Sequence, residues 1–221
     1  MHYPGPELVN FDDVAALNRA FLELLGGESC AGQCLVDLRD DLAVRLRGLT
    51  PTELDRLAGT PFLLVSFREH DRVFWDRILD TEPRADLFAG TAAAGEASQV
   101  IAAGLSFVWQ LARQNSYALR LVCGASLHWC ERIAERPLVG ILNRARSQDA
   151  LLTLRSAADA NLWRKLLYGG VSVCEDIRAA AHLGALQMML TRSDSGMRPA
   201  WSSAACRTRV PSLGVVEDRD D

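Results

Sequence analysis

A chain of 221 residues, 49% hydrophobic and 24% charged, with a net charge of −4, has room for one large domain or two small ones around a proper core. No apolar run approaches the roughly 18 residues that a membrane span needs. The start "MHYPGPELVNFDD" lacks the basic and apolar stretches of a leader, so the expectation is a cytoplasmic protein with no membrane partner. The charge is unevenly spread: residues 1–95 hold nine arginines against sixteen acids, while residues 96–170 hold nine basic residues against five. Lys165 is the only lysine, which reads as genomic base composition rather than function.

In chain order, "FDDVAALNRAFLELL" repeats apolar residues at three and four, which predicts a helix. Asp12 or Asp13 would cap it and Gly26-Gly27 would end it. "RDDLAVRLRGL" places Leu42, Leu46 and Leu49 on one stripe. "TPTELDRLAG" opens with Thr50 as N-cap, Pro51 at the first position and Glu53 as capping-box partner. "PFLLVSF" has the β-branched and aromatic mix of a short extended piece, and "DRVFWDRIL" returns to helical spacing. Residues 81–97 carry Pro83, Gly90 and Gly95 and read as a linker. A long helix is then predicted with Val100, Ile101, Leu105, Val108 and Leu111 buried, followed by a short one ending at Gly124. Ser126 caps the first of a helix pair and Pro137 opens the second. "ALLTLR" is a second extended piece, "ANLWRKLL" a further helix, and Ser172–Arg192 a final amphipathic one. Residues 193–221 show no period and are expected to be disordered.

The chain repeats itself. "PFLLVSFREHDRVFWDRIL" and "DALLTLRSAADANLWRKLL" align at an offset of 88, with Leu63 on Leu151, Leu64 on Leu152, Trp75 on Trp163 and Leu79 on Leu167. Upstream, an offset of 86 sets Phe21 on Phe107, Leu25 on Leu111 and Leu35-Val36 on Leu121-Val122. The second half, in "LSFVWQLARQNSYALRLVCGAS", "ILNRA", "LLTLR" and the Asp176, Ile177, His182, Gly184 pattern of the last helix, resembles the FlhD family of flagellar transcriptional regulators. The first half resembles the same family from about Leu17 to Leu79 but lacks the final helix.

The resemblance implies an all-α fold of two tandem modules, residues 1–80 and 98–192, each with a helix-turn-helix-like pair and at most one short extended segment. Because the family acts as symmetric dimers, it implies an internal pseudo-dimer, able to remain single or to pair again as a homodimer. It also implies a bacterial transcriptional regulator, an activator in the family, that works through an FlhC-like subunit or RNA polymerase. An adaptor or anti-activator that never touches DNA is the alternative reading.

For nucleic acid, the expected contacts are Arg132 and Arg136 on the first helix of the second pair, and Asn143, Arg144 and Arg146 on the second, since Arg and Asn reach guanine, adenine or phosphate. The plain alternative is that these are solvated surface residues. The first pair carries Asp40, Asp41, Glu53 and Asp55, which repel phosphate and suit a basic protein partner. Trp129 and His182 are candidates for the partner interface, although His182 on an apolar helix face also fits a core histidine. The six cysteines lack paired CxxC units and read as free thiols; a metal site using Cys123, His128 and Cys130 is the weaker reading. No nucleophile elbow, glycine-rich phosphate loop or HExxH occurs, so neither an enzyme nor a bound cofactor is expected.

Overall fold

The computed structural model describes residues 7–27, 34–80, 95–145 and 151–195. The chain is mainly helical. In order, the described elements are α1 Leu8–Gly26, α2 Asp40–Arg47, α3 Pro51–Ala58, β1 Val65–Ser66, α4 Arg72–Asp80, α5 Glu96–Gln114, α6 Ser116–Cys123 and α7 Leu127–Glu135. They continue with α8 Leu138–Ala145, β2 Thr153–Leu154, α9 Ala160–Arg164, which runs into a π-helical turn at Lys165–Gly170, and α10 Glu175–Ser195.

Local chemistry sets most boundaries. Glu53 N–H donates to Thr50 Oγ1 at 3.3 Å while Thr50 N–H donates to the Glu53 carboxylate at 2.8 Å, the reciprocal capping box that starts α3. Ser126 and Asn115 cap α7 and α6 with a side-chain oxygen alone, accepting from Trp129 N–H and Ala118 N–H. Gly124 ends α6 at φ +64°, a left-handed conformation that glycine reaches without a Cβ clash. Three boundaries differ from expectation. The last helix, expected over Ser172–Arg192, occupies Glu175–Ser195 and so enters the stretch expected to be disordered, of which residues 196–221 lie outside the described ones. The first helix begins at Leu8, where Glu7 N–H donates to Asn10 Oδ1 at 2.9 Å, so the exposed Asp12 and Asp13 fall inside the helix and do not cap it. Helix α5 begins at Glu96, inside the expected linker.

Among the described residues of the two halves one continuous buried cluster runs from Val14 to Met189. Its centre is the antiparallel pair β1–β2, with Val65 opposite Leu154 and Ser66 opposite Thr153. Each residue therefore faces the repeat counterpart of its neighbour, as a local two-fold relation between the strands requires. The helices cross over in return. From the first half, α4 packs on α8 and sets Trp75 edge-on against Trp129, with ring centroids 5.4 Å apart. From the second half, α9 and the π-helical turn pack on α2 and α3. There Arg45 sits 5.9 Å over the Tyr168 ring and Arg56 donates to Val171 O at 3.4 Å.

The detail after each strand recurs at 88 residues. Arg68 and Ser156 both have positive φ, 56° and 49°. Asp71 and Asp159 then cap the next helix, accepting from Phe74 N at 3.0 Å and Leu162 N at 3.2 Å. Trp75 Nε1 donates to Phe67 O and Trp163 Nε1 to Arg155 O, each at 3.0 Å. Upstream the expected offset of 86 does not match the burial. Leu35 and Val122 are buried while Val36 and Leu121 are exposed, so the shared face corresponds to an offset of 87. The halves also differ inside. Asn18 is fully buried on α1, donating to Ala58 O at 3.1 Å and Phe62 O at 2.9 Å and accepting from Leu64 N at 2.7 Å. At the offset of 87 its counterpart on α5 is the buried Leu105, and beside that residue the Phe67 ring packs directly onto Gly104.

Replacing Asn18 with alanine leaves a buried N–H and two carbonyls without that partner. The expected loss is about 2–3 kcal/mol of stability, read from the urea unfolding midpoint. Asn18→Asp is expected to be worse, because it sets a carboxylate against two carbonyl oxygens.

Candidate partner and nucleic-acid surface

The second helix pair, α7–α8, holds four of the five expected DNA contacts within the described residues; Arg146 lies outside them. Arg132 forms an ion pair with Asp76 of α4, and its side chain is 20% exposed. Arg144 donates to the carbonyl of Ile78, also on α4. Both arginines therefore hold a first-half helix against the second-half pair, in addition to anything they offer to solvent. Arg136 and Asn143 are exposed. The Arg136 carbonyl accepts from Trp109 Nε1 at 2.7 Å, which pins the α7–α8 turn to α5. A shallow groove beside this turn is lined by Trp109, Arg113, Arg136, Pro137, Leu138 and Val139, with the Arg113 guanidinium 4.9 Å from the Trp109 ring centre.

Trp129 is not at the surface. It is 5% exposed, and the crossing of α4 covers it with Trp75. Its Nε1 is buried with no hydrogen-bond partner among the described residues. His182 is likewise inside, 6% exposed in the seam between α10 and the π-helical turn, with Nε2 3.1 Å from Gly170 O. Burial pushes its pKa below the usual histidine value, and the hydrogen bond to Gly170 only partly opposes this. Both residues thus serve contacts within the chain.

In the first pair, Asp40 and Asp41 are exposed at the start of α2, where they favour the positive end of the helix dipole. Val44 stands 68% exposed on the same helix. Glu53 has its pKa lowered to about 2, first by the Thr50 backbone N–H and then by Arg45 and the Thr50 hydroxyl. Asp55 pairs with Arg19 of α1. Glu53 is therefore engaged within the chain, whereas Asp40, Asp41 and Asp55 all face outward, Asp41 with Arg39 beside it at 3.1 Å and Asp55 with Arg19.

The strongest electrostatic feature was not anticipated. Arg155, 4% exposed, pairs with the buried Glu69 and donates to the carbonyls of Leu63, Cys123 and Val65. It spans the β1–β2 junction from the second half to the first. Burial raises the Glu69 pKa, but Arg155, His70 and the local N–H and hydroxyl donors outweigh it and leave the group below its ordinary value. The one visible signal was the mismatch in the repeat, which sets Arg155 on Phe67 and Ala157 on Glu69.

Cys34, Cys123 and Cys130 are buried free thiols and Cys174 is exposed. Burial raises the pKa of Cys123, and that of Cys130 to about 12, so neither is a ready thiolate. No three metal-binding side chains come together among the described residues, and His128 is exposed apart from the two buried thiols. Peptide mapping after brief alkylation of the native protein is expected to find Cys174 modified, with Cys34, Cys123 and Cys130 reacting only after unfolding. No described helix is long and apolar enough to cross a membrane. Comparison of the chain with protein-family models, curated proteins and solved structures finds no match.

Proposed function

We propose that the chain is an FlhD-like pseudo-dimer fused into one polypeptide, acting as a transcriptional regulator through a protein partner such as an FlhC-like subunit or RNA polymerase. The observation that carries this reading is the reciprocal packing: two half-chains meet across β1–β2 with a two-fold register, and each sends its following helix onto the other's helix pair. That is how two protomers of a symmetric dimer assemble, and fusion fixes their effective concentration. In this reading α7–α8 is the nucleic-acid side, with Arg136 and Asn143 as the outward contacts. A supporting subunit held on DNA by its partner suits a surface of moderate charge better than an independent binder does.

A second reading has its own observation. The first pair shows Asp40, Asp41 and the exposed Val44 at one helix start, a mixed acidic and apolar surface suited to a basic protein. On that basis the chain is an adaptor or anti-activator with no DNA contact. The test is chromatin sequencing of the tagged protein in its native host, beside capture of its partners. Promoter enrichment that fades with Arg136→Ala and Asn143→Ala supports the regulator. A captured partner without promoter enrichment sinks it and leaves the adaptor.

A further inference from the structure

Helix α10 is fastened mainly along one side, by the π-helical turn Lys165–Gly170. Ala181, His182, Ala185 and Met189 are buried on its inner side, while Ile177, Ala180, Leu183 and Gln187 are exposed. Glycines let the two backbones close up. A Cβ at Gly169 would stand 2.9 Å from the Ala181 methyl, and one at Gly170 would stand 3.1 Å from His182 Nε2. The ring therefore meets the turn without space for water between them.

Charge offers an imidazolium no help there. On α10, Arg178 donates to Ser172 O at 3.1 Å and repels a positive ring four residues further on. From the turn, Lys165 lays its chain across Gly184, where an added Cβ would meet Nζ at 3.1 Å. From α3, Arg56 donates to the carbonyl of Val171, the residue after Gly170. No carboxylate among the described residues pulls on the ring. Glu53 is held by Arg45 and Asp55 pairs with Arg19; Asp40 and Asp41 are exposed at the start of α2. Glu175 and Asp176 are exposed about two turns before His182, and the exposed Tyr168 of the turn lies under Arg45. The bond from Nε2 to Gly170 O is open to the neutral tautomer as well as to the imidazolium.

We infer that α10 is an acid-released arm: a proton on His182 is neither hydrated nor paired in the closed seam, so the helix lifts from the π-helical turn and bares Ala181, Ala185 and Met189. Once released, the ring regains its ordinary titration. The open form then binds the proton more tightly and gains on the closed form as pH falls below the ordinary histidine value. The face that α10 leaves is a π-helical turn, an uncommon element found frequently at functional sites. The device belongs to the second half alone, since the repeat gives the first half no counterpart of α10, and it operates whether or not the chain touches DNA.

The test is hydrogen exchange of the full chain, read by mass spectrometry at about pH 7.5 and about pH 5, either side of the ordinary histidine value, with rates corrected for the pH dependence of chemical exchange. The amides of α10 are expected to lose protection severalfold at the lower pH, while those of α1 and of Leu63, Leu64 and Val65 keep theirs. His182→Gln keeps a donor for Gly170 O without a titrating ring and is expected to abolish the loss. The His182 ring signal, followed by NMR in the wild type, keeps the test decisive if that variant loosens the seam at both pH values. Protection of α10 must then fall over the pH range in which this ring titrates. Equal protection of α10 at both pH values overturns the inference. So does an acid loss that persists in His182→Gln or falls outside the ring's titration, or one shared evenly by α1 and α10, which is general unfolding.

Discussion

Replacing Arg155 with alanine is expected to destabilise the protein by about 3–5 kcal/mol, among the largest effects available to one substitution. The side chain is nearly inaccessible and serves Glu69 and three carbonyls at once. Its removal strands a carboxylate in the core, where an unpaired charge is far more costly than the pair itself is stabilising. The comparison that isolates this is the double replacement Arg155→Met with Glu69→Leu, which removes both charges. It is expected to be less damaging than Arg155→Ala alone, by urea unfolding followed through tryptophan fluorescence. An Arg155→Ala variant within about 1 kcal/mol of wild type would show that solvent reaches the pair.

The same pair sets an acid sensitivity. The folded Glu69 pKa lies below its unfolded value, so the unfolded chain binds this proton more readily. The stabilisation is complete above the ordinary glutamate range and is lost as pH falls through the depressed folded value. Glu69→Gln is expected to flatten that part of the stability–pH curve. His182 acts at higher pH: its folded pKa is depressed, so stability is full above the ordinary histidine value and declines as pH falls through that value towards the folded one. His182→Gln removes this component.

Trp75→Ala and Trp163→Ala are each expected to cost about 3–5 kcal/mol, the range for truncating a large buried aromatic. They occupy repeat-related sites, 1% and 0% exposed, with the same indole bond to a carbonyl ahead of the capping aspartate, Phe67 O before Asp71 and Arg155 O before Asp159. The conservative changes Trp75→Phe and Trp163→Phe keep most of the ring but leave that carbonyl unpaired, at about 1–2 kcal/mol each. A matched pair of losses is the signature of a repeated structural role. A large disparity between the two would show that their surroundings, rather than the shared turn, set the energetics. Trp75 has one distinguishing neighbour, Trp129, so its replacement should also change the fluorescence of the native state.

Much of the helical layout was legible because it rests on local chemistry. The capping box at Thr50 and Glu53, the caps at Ser126 and Gly124, and the apolar stripe of Leu42, Leu46 and Leu49 act within a few residues and are written in order. The tryptophan repeat was visible for the same reason. What escaped depends on residues far apart in the chain. The pairing of β1 with β2 satisfies two pieces too short to declare a partner. Trp129 reads as amphipathic surface until α4 is known to cross it. Asn18, Glu69 and Arg155 are ordinary polar letters until their burial is known, and only the mismatch in the repeat hinted at the last two. Of the expected DNA contacts, Arg132 and Arg144 turned out to have work inside the chain, which no helical wheel could disclose.

The crossed arrangement also governs how the protein comes off the ribosome. Leu63, Leu64 and Val65 are wholly buried in the finished molecule, yet β2 and Arg155, which close over this segment, are made about 90 residues later. At synthesis rates of roughly 5–20 residues per second the nascent first half waits on the order of ten seconds with that apolar strand uncovered. Contacts of such long sequence separation also make refolding slow for a helical protein, since a large loop must close before they repay it. The nascent chain is thus most exposed to aggregation and to chaperone capture midway through its synthesis, and a premature stop in the second half releases a product with no means of completing its own core.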